Sequence, residues 1–226
     1  MSRVHDMGGR FGDGPVVPDA KDDPVFSTEW HARALAVTLA CGALGQWNID
    51  RSRHARECLS PKDYARFSYY EKWLAGLTDL LVASEVLTPQ DLVDAGDAAE
   101  PHALSERRLR AAAVPDVLAA GGPADRPSAV APRFAIGDLV RTRARAGNAF
   151  VAGGHTRLPA YAQGAIGRIA LIHGAHVLPD SAAHGRGDAP EPLYAVAIQA
   201  DQLWDAPEHP ADEVILDLWQ SYLEPA

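Results

Sequence analysis

From Ser27 onward the apolar positions recur at helical spacing. Trp30, Ala34, Val37, Cys41 and Leu44 fall three or four apart and share one face. Ser27 or Thr28 offers a capping hydroxyl, and Glu29 suits the first turn. Asn48 and Asp50 interrupt that stripe and open a second, short helix through Leu59. Ser60-Pro61 is a third start, a hydroxyl followed by proline at the first helical position. Tyr64, Phe67, Leu74, Leu77 and Leu81 line one face of the longer helix it predicts. Thr88-Pro89 repeats the signal for a short helix through about Val93, and a further helix is expected around 105–113.

After Pro132 the period changes. The stretch 134–143 alternates, and 167–172, 193–198 and 214–219 are short β-type runs bounded by Gly, Pro, Asp and His. Short strands with long loops predict a small barrel. The segment Gly121-Gly122-Pro123-Ala124-Asp125-Arg126-Pro127 reads as a linker. Residues 1–26 are rich in Gly, Pro and Asp and cannot fold alone. Val4, Met7, Phe11, Val16, Val17, Val25 and Phe26 would let them lie as an arm on another surface. The expected class is α+β: an arm over 1–26, a helical domain over 27–110, a linker over 111–132 and a small β-barrel domain over 133–226.

Composition narrows the chemistry. Of 226 residues, 47% are apolar and 23% charged, enough for a real core. The net charge of −9 argues against nucleic acid, since an acidic chain gains little from a phosphate backbone. The opening residues hold no apolar stretch of the secretory kind, and no run is long enough to span a bilayer, so the cytoplasm is the expected location. Cys41 and Cys58 belong to no CxxC pair and supply neither a disulfide framework nor a zinc cage; both read as buried thiols in helical segments. His173 and His176 form HGAH, and His5, His54, His155 and His184 are scattered; these read as loop and surface histidines rather than metal ligands. No P-loop, dinucleotide fingerprint or Ser-His-Asp signature is visible.

The arginines are more informative. Asp50-Arg51-Ser52-Arg53-His54-Ala55-Arg56-Glu57 sets three guanidinium groups on one short helix. By itself this is a solvated face with an Arg53–Glu57 pair. Gly154-His155-Thr156-Arg157-Leu158-Pro159-Ala160-Tyr161 places another arginine in the loop between the first two expected strands. Nothing in the composition says that Arg53 and Arg157 act together.

Blocks along nearly the whole chain, in order, resemble nitrile hydratase β subunits. They are Val4-His5-Asp6-Met7-Gly8-Gly9 with Gly12-Asp13-Gly14-Pro15, Pro24-Val25-Phe26 with Glu29-Trp30, Ile49-Asp50-Arg51-Ser52-Arg53-His54, and Tyr69-Tyr70 with Trp73. The strongest is Gly154-His155-Thr156-Arg157-Leu158-Pro159-Ala160-Tyr161, followed by Pro179-Asp180 with Ser181-Ala182-Ala183-His184-Gly185, Glu191-Pro192-Leu193-Tyr194, Leu203-Trp204 and Gln220-Ser221-Tyr222-Leu223-Glu224-Pro225. The variable stretch between the blocks coincides with the expected linker.

The resemblance implies an SH3-like form for the C-terminal barrel and hydration of nitriles to amides. It implies non-haem Fe(III) or non-corrin Co(III) held by a cysteine cluster on a partner α subunit, two of those cysteines being oxidised, with none bound by this chain. It implies an αβ heterodimer that assembles as α2β2, a small nitrile as substrate, and no nucleic acid or membrane. Arg53 and Arg157 match the arginines that bind the oxidised cysteines. Tyr69 matches a tyrosine reaching the α-subunit loop beside the metal, Trp73 an aromatic of the substrate pocket, and Ile49 and Ser52 further pocket lining. For Tyr69 and Trp73, plain helical packing is the competing expectation. Trp73 leans towards cobalt. The chain departs from the pattern after Tyr161, where Ala162-Gln163-Gly164-Ala165 stands in place of basic residues, and at Arg3, where Gly is common; the first change is expected to affect partner affinity. A thiocyanate hydrolase-type subunit shares the fold and arginine motif but divides it between two chains. An assembly or metal-delivery protein on the same fold would lack the complete helical half.

Overall fold

The computed structural model describes His5, residues 17–94 and residues 102–226. Most of the expected arm, with Arg3, lies outside these residues. Within it, Val17 and Val25 are exposed. The chain divides into a helical unit ending at Gly122 and a sheet unit beginning at Pro123. The fold is mixed, helices followed by an antiparallel sheet.

In the helical unit each start is set by local chemistry. Helix α1 spans Glu29–Gly42. Helix α2 spans Ile49–Glu57, and the Asn48 side chain accepts the Arg51 amide at 2.8 Å. Helix α3 spans Pro61–Arg66, capped by the Ser60 hydroxyl at the Asp63 amide, 3.0 Å. The long helix expected from Ser60 is therefore two helices. Phe67 is extended, and α4 restarts at Tyr69–Ala83 because the Glu71 carboxylate accepts the Ser68 amide at 2.7 Å. Helix α5 spans Pro89–Val93, with the Thr88 hydroxyl accepting the Asp91 amide. The helix expected around 105–113 is replaced by two 3-10 turns, Ala103–Arg107 and Ala111–Ala113, and α6 follows at Val114–Ala120. Leu44, Leu77 and Leu81 form the buried cluster, with Cys41, Trp47, Val86, Leu87 and Leu104 half-buried around it.

Helices α2 and α4 cross closely. A Cβ on Gly76 would lie 2.8 Å from the Arg56 Cγ and 3.3 Å from its backbone nitrogen. No real Cβ tolerates the first distance, so the crossing requires glycine.

The sheet unit carries β1 (Leu139–Thr142), β2 (Ile166–His176), α7 (Pro179–Ala182), β3 (Glu191–Gln199), β4 (Glu213–Trp219) and β5 (Leu223–Pro225). They form one antiparallel sheet in the order β4-β3-β2-β1-β5. Its end strands β4 and β5 do not pair with each other among the described residues, so the expected barrel is seen as an open sheet. The first alternating run shortens to β1, because Gly137 and Asp138 turn the chain ahead of it. Strand β2 runs on through HGAH, placing His173 and His176 on a strand rather than a loop. Two register shifts, one between Ile169 and Leu171 and one between Ile172 and Gly174, break its alternation. β3 is buried on both faces, as its unbroken apolar run demands. Val140, Ile169, Tyr194, Val196, Ile198, Leu218 and Tyr222 are fully buried members of one core.

The segment read as a linker is fastened to this unit. The Arg126 amide donates to the Ala175 carbonyl at 2.9 Å, and its guanidinium pairs with Asp188 at 2.9 Å. Ala162 and Ala165 also belong to the sheet core. Both are buried there as small apolar side chains.

Candidate functional site

Helix α2 presents Ile49, Ser52, Arg53 and Arg56 at spacings of three and four, which is one helix face. Arg53 does not pair with Glu57. Its Nη1 donates to Asp50 Oδ1 at 2.8 Å, one turn earlier, while Glu57 meets His54 Nδ1 at 3.4 Å. Asp50 is only 5% exposed, so a buried carboxylate grips one edge of the guanidinium. The Arg53 side chain is itself 40% exposed, and Asp50 is the one carboxylate it pairs with among the described residues.

Helix α4 brings Tyr69 and Trp73 to the same neighbourhood. Their ring centroids are 5.5 Å apart, and Tyr70 lies 5.2 Å from Tyr69 and 6.1 Å from Trp73. Arg56 places its guanidinium 4.8 Å over the Trp73 ring. Burial lowers the Arg56 pKa, and the nearby positive charge of Arg53 lowers it further. Tyr69 is 64% and Ile49 62% exposed, whereas Trp73 and Ser52 are half-buried. Plain core packing therefore fails for Tyr69, which faces outwards, and describes Trp73 only in part.

Arg157 belongs to the sheet unit, in the long loop between β1 and β2. Its side chain is exposed and forms no hydrogen bond or ion pair among the described residues. Its backbone is held from below. The amide donates to the Tyr222 hydroxyl at 3.2 Å, and the Thr156 hydroxyl meets the same oxygen at 3.3 Å. Tyr222 is fully buried and donates its own proton to Asp180 Oδ1. Asp180 is buried as well, and burial pushes its carboxyl pKa up. Burial and the Asp180 charge push the Tyr222 phenol far above its ordinary range, so it stays a proton donor.

A second clamp holds the same loop. The Asn148 amide donates to the His155 carbonyl at 2.6 Å and the Asp180 carbonyl at 2.9 Å. Its oxygen accepts the Phe150 and Val151 amides. His184 Nε2 accepts the His155 amide at 3.0 Å. The sequence assigned no role to Asn148, Asp180, Tyr222 or Arg56. Asp180 and Tyr222 stand in two of the matched blocks, and their placement there was the available signal.

Among the described residues no group of three or more His, Cys, Asp or Glu side chains could hold a metal ion. His173 instead pairs with Asp217 at 2.8 Å. The cysteines differ from the buried pair expected. Cys41 is half-buried on α1, where burial raises its pKa, and Cys58 is exposed because it caps the end of α2 beyond the last packed turn. No helix among the described residues is long and apolar enough to cross a membrane.

Comparison with known proteins covers the chain almost end to end. Residues 1–117 match the family model for the nitrile hydratase beta subunit, N-terminal, and residues 123–225 the model for its C-terminal part. The nitrile hydratase subunit beta of Pseudomonas putida is 37% identical over 228 residues, covering 100% of both chains. The low-molecular weight cobalt-containing nitrile hydratase subunit beta of Rhodococcus rhodochrous is 32% identical, again over 100% of both. The cobalt-containing nitrile hydratase subunit beta of Pseudonocardia thermophila is 31% identical over 99% of this chain and 96% of its own. Among solved structures, recombinant apo thiocyanate hydrolase from Thiobacillus thioparus aligns at 25% identity over 42% of this chain with a TM-score of 0.37, an overlap too slight to bear on fold or function.

Proposed function

We propose a division of labour for this chain, which belongs to the nitrile hydratase β-subunit family: it supplies arginine donors and pocket wall, while an α-type partner carries the metal. The reaction adds water across a nitrile to give an amide. The chain is the β subunit of such an enzyme. Two relatives are cobalt-containing by name, which favours cobalt for this complex too. When bound, the metal supplies Lewis-acid activation of nitrile or water.

The donor chemistry of this chain fits the surroundings of a metal better than the metal itself. Guanidinium groups repel a cation, but their planar forks suit small oxyanions, giving short charge-assisted hydrogen bonds. Oxidised cysteines of the partner are such anions. In this reading Arg53 and Arg157 each bind one and hold its geometry. Tyr69, Trp73, Ile49 and Ser52 line the approach for the nitrile.

The observation that carries the reading is Arg157. Its backbone is pinned on a buried tyrosine while its side chain is exposed and has no partner among the described residues. A guanidinium fixed at its root and free at its tip is built to receive an anion from outside. Arg53, tied on one edge by Asp50, is half-prepared in the same sense. For the sheet unit, the order β4-β3-β2-β1-β5 and the 3-10 turn Gln220–Tyr222 between its last two strands support the SH3-like form, with complete closure the finer expectation. The cytoplasm and an α2β2 assembly remain part of the proposal.

Co-expression with an α-type chain, followed by metal analysis and an amide assay, tests the division. The complex should hold cobalt and form amide, and the isolated β chain should do neither. One tightly held metal per isolated β chain would overturn it.

A further inference from the structure

Arg56 was an unremarkable member of a charged helix in the sequence. In the structure it stands on the same α2 face as Ile49, Ser52 and Arg53, one turn beyond Arg53. It is half-buried, yet its guanidinium forms no hydrogen bond or ion pair among the described residues. Neighbouring carboxylates are already engaged, Asp50 by Arg53 and Glu57 by His54. What the guanidinium does meet is the Trp73 ring, 4.8 Å from its centroid.

The root of the side chain explains why it lies there. Arg56 sits where α2 crosses α4 at Gly76, so closely that any larger residue would strike its Cγ and backbone. Trp73 stands one turn before Gly76 on α4. The Arg56 stem is thus wedged at the crossing and its head lies along α4 over the indole. Tyr69 and Tyr70 border the same ring at 5.5 and 6.1 Å. Burial and Arg53 work against a charge here and Tyr69 and Glu57 work for it. Arginine keeps its proton, and the negative face of the Trp73 ring is what its guanidinium lies against.

We infer that Arg56 is a positioning residue that fixes the Trp73 indole and thereby sets the size selectivity of the nitrile pocket. The inference rests on the reading of Trp73 as pocket wall. A fixed indole offers one shape to the substrate. A loose one accepts small nitriles as before but loses its ordered contact with a large aromatic one.

The test uses the αβ holoenzyme with acetonitrile and benzonitrile as probes. Arg56→Met keeps the unbranched stem in the crossing and removes the cation. It should raise KM for benzonitrile about threefold to tenfold, the range of one cation–π contact, and leave KM for acetonitrile and both kcat values within about twofold. Arg56→Lys should restore part of the loss. In a Trp73→Ala background Arg56→Met should have no further effect on the ratio of the two KM values. If Trp73→Ala changes that ratio and Arg56→Met does not, Arg56 has no positioning role and the pocket reading stands. If Arg56→Met lowers kcat equally for both nitriles, its role is general support of the fold and the inference fails. If Trp73→Ala leaves the ratio unchanged, Trp73 is not pocket wall and both ideas fall.

Discussion

In the sheet unit, Val140, Ile169, Tyr194, Val196, Ile198, Leu218 and Tyr222 lose all contact with water and pack as one body. In the helical unit the buried cluster is Leu44, Leu77 and Leu81, with half-buried neighbours. Trp30, Val37, Ile49, Tyr69, Leu92 and Val93 of that unit face solvent. The contrast separates two ways of preparing a site. The sheet unit presents Arg157 above a platform, the buried Tyr222–Asp180 pair of its own core. The helical unit carries Arg53, Tyr69 and Trp73 over a smaller buried cluster, with Tyr69 exposed and Trp73 half-buried.

The largest effect that sharpens this contrast is core truncation. Ile198→Ala should destabilise the isolated chain by about 2–5 kcal/mol, at the upper end because nothing around it can collapse. Leu77→Ala should fall at the lower end, since its half-exposed surroundings relax. Urea unfolding followed by residue-resolved hydrogen exchange measures both. Equal losses would mean that the two cores are equally well packed.

Next in size is the platform. Tyr222→Phe keeps the buried ring beneath Arg143, 4.8 Å away, but removes the hydroxyl shared by Asp180, Thr156 and Arg157. It should cost about 1–3 kcal/mol, because a buried carboxyl loses its donor. Hydrogen exchange should quicken at Arg157 and Thr156 and not in the helical unit. Uniform loosening of both units would break the account of a self-contained platform.

Smaller still is the loss of one helix cap. Ser60→Ala should cost about 1 kcal/mol, felt in α3 and not in the sheet.

The two units should also answer acid in opposite ways. In the helical unit Asp63, Glu71 and Asp91 have lowered pKa values. The Ser60 hydroxyl is the main cause for Asp63, the Ser68 amide for Glu71 and the Thr88 amide for Asp91. Their contribution is present above the ordinary carboxylate range and is lost as pH falls through the lowered values. In the sheet unit Asp180 is raised by burial, so the folded state holds its proton longer. Its contribution is fullest below the ordinary carboxylate range and declines as pH rises through the raised value. Asp79, raised by burial in α4, opposes the caps within the helical unit. Hydrogen exchange corrected for intrinsic rates should show the cap-bearing helices loosening first in acid. Asp180→Asn should abolish the pH slope assigned to Asp180; an unchanged slope would mean the carboxyl does not titrate in that range.

What was legible in the sequence was local. Asn48, Ser60-Pro61 and Thr88-Pro89 announced their helices because a cap and the amide it serves are three residues apart. The break at Phe67 is hidden by the apolar stripe that runs through it, although Ser68 and Glu71 carry the capping signature. Strand β5 has no signature in the sequence, because three residues after a 3-10 turn leave no alternation. Arg53 and Arg157 were singled out by resemblance, not by pattern. The matched blocks held Asp180 and Tyr222, but not their meeting beneath Arg157, since Tyr222 reaches Arg157 and Asp180 across 65 and 42 residues of chain. Only folding brings such partners together.

The central claim is that Arg53 and Arg157 act through their planar forks on anionic cysteine oxygens of the partner. The most direct measurement is kcat on a simple nitrile for Arg53→Lys and Arg157→Lys in the metal-loaded αβ complex, with the partner's cysteine oxidation checked by mass spectrometry. Lysine keeps the charge, so the complex should still form, and it could still meet Asp50 from position 53. It loses the directed donor pair, worth about 1.5–3 kcal/mol for a charged acceptor, so kcat should fall by roughly one to two orders of magnitude in each variant. Near-wild-type turnover in both variants would contradict the claim.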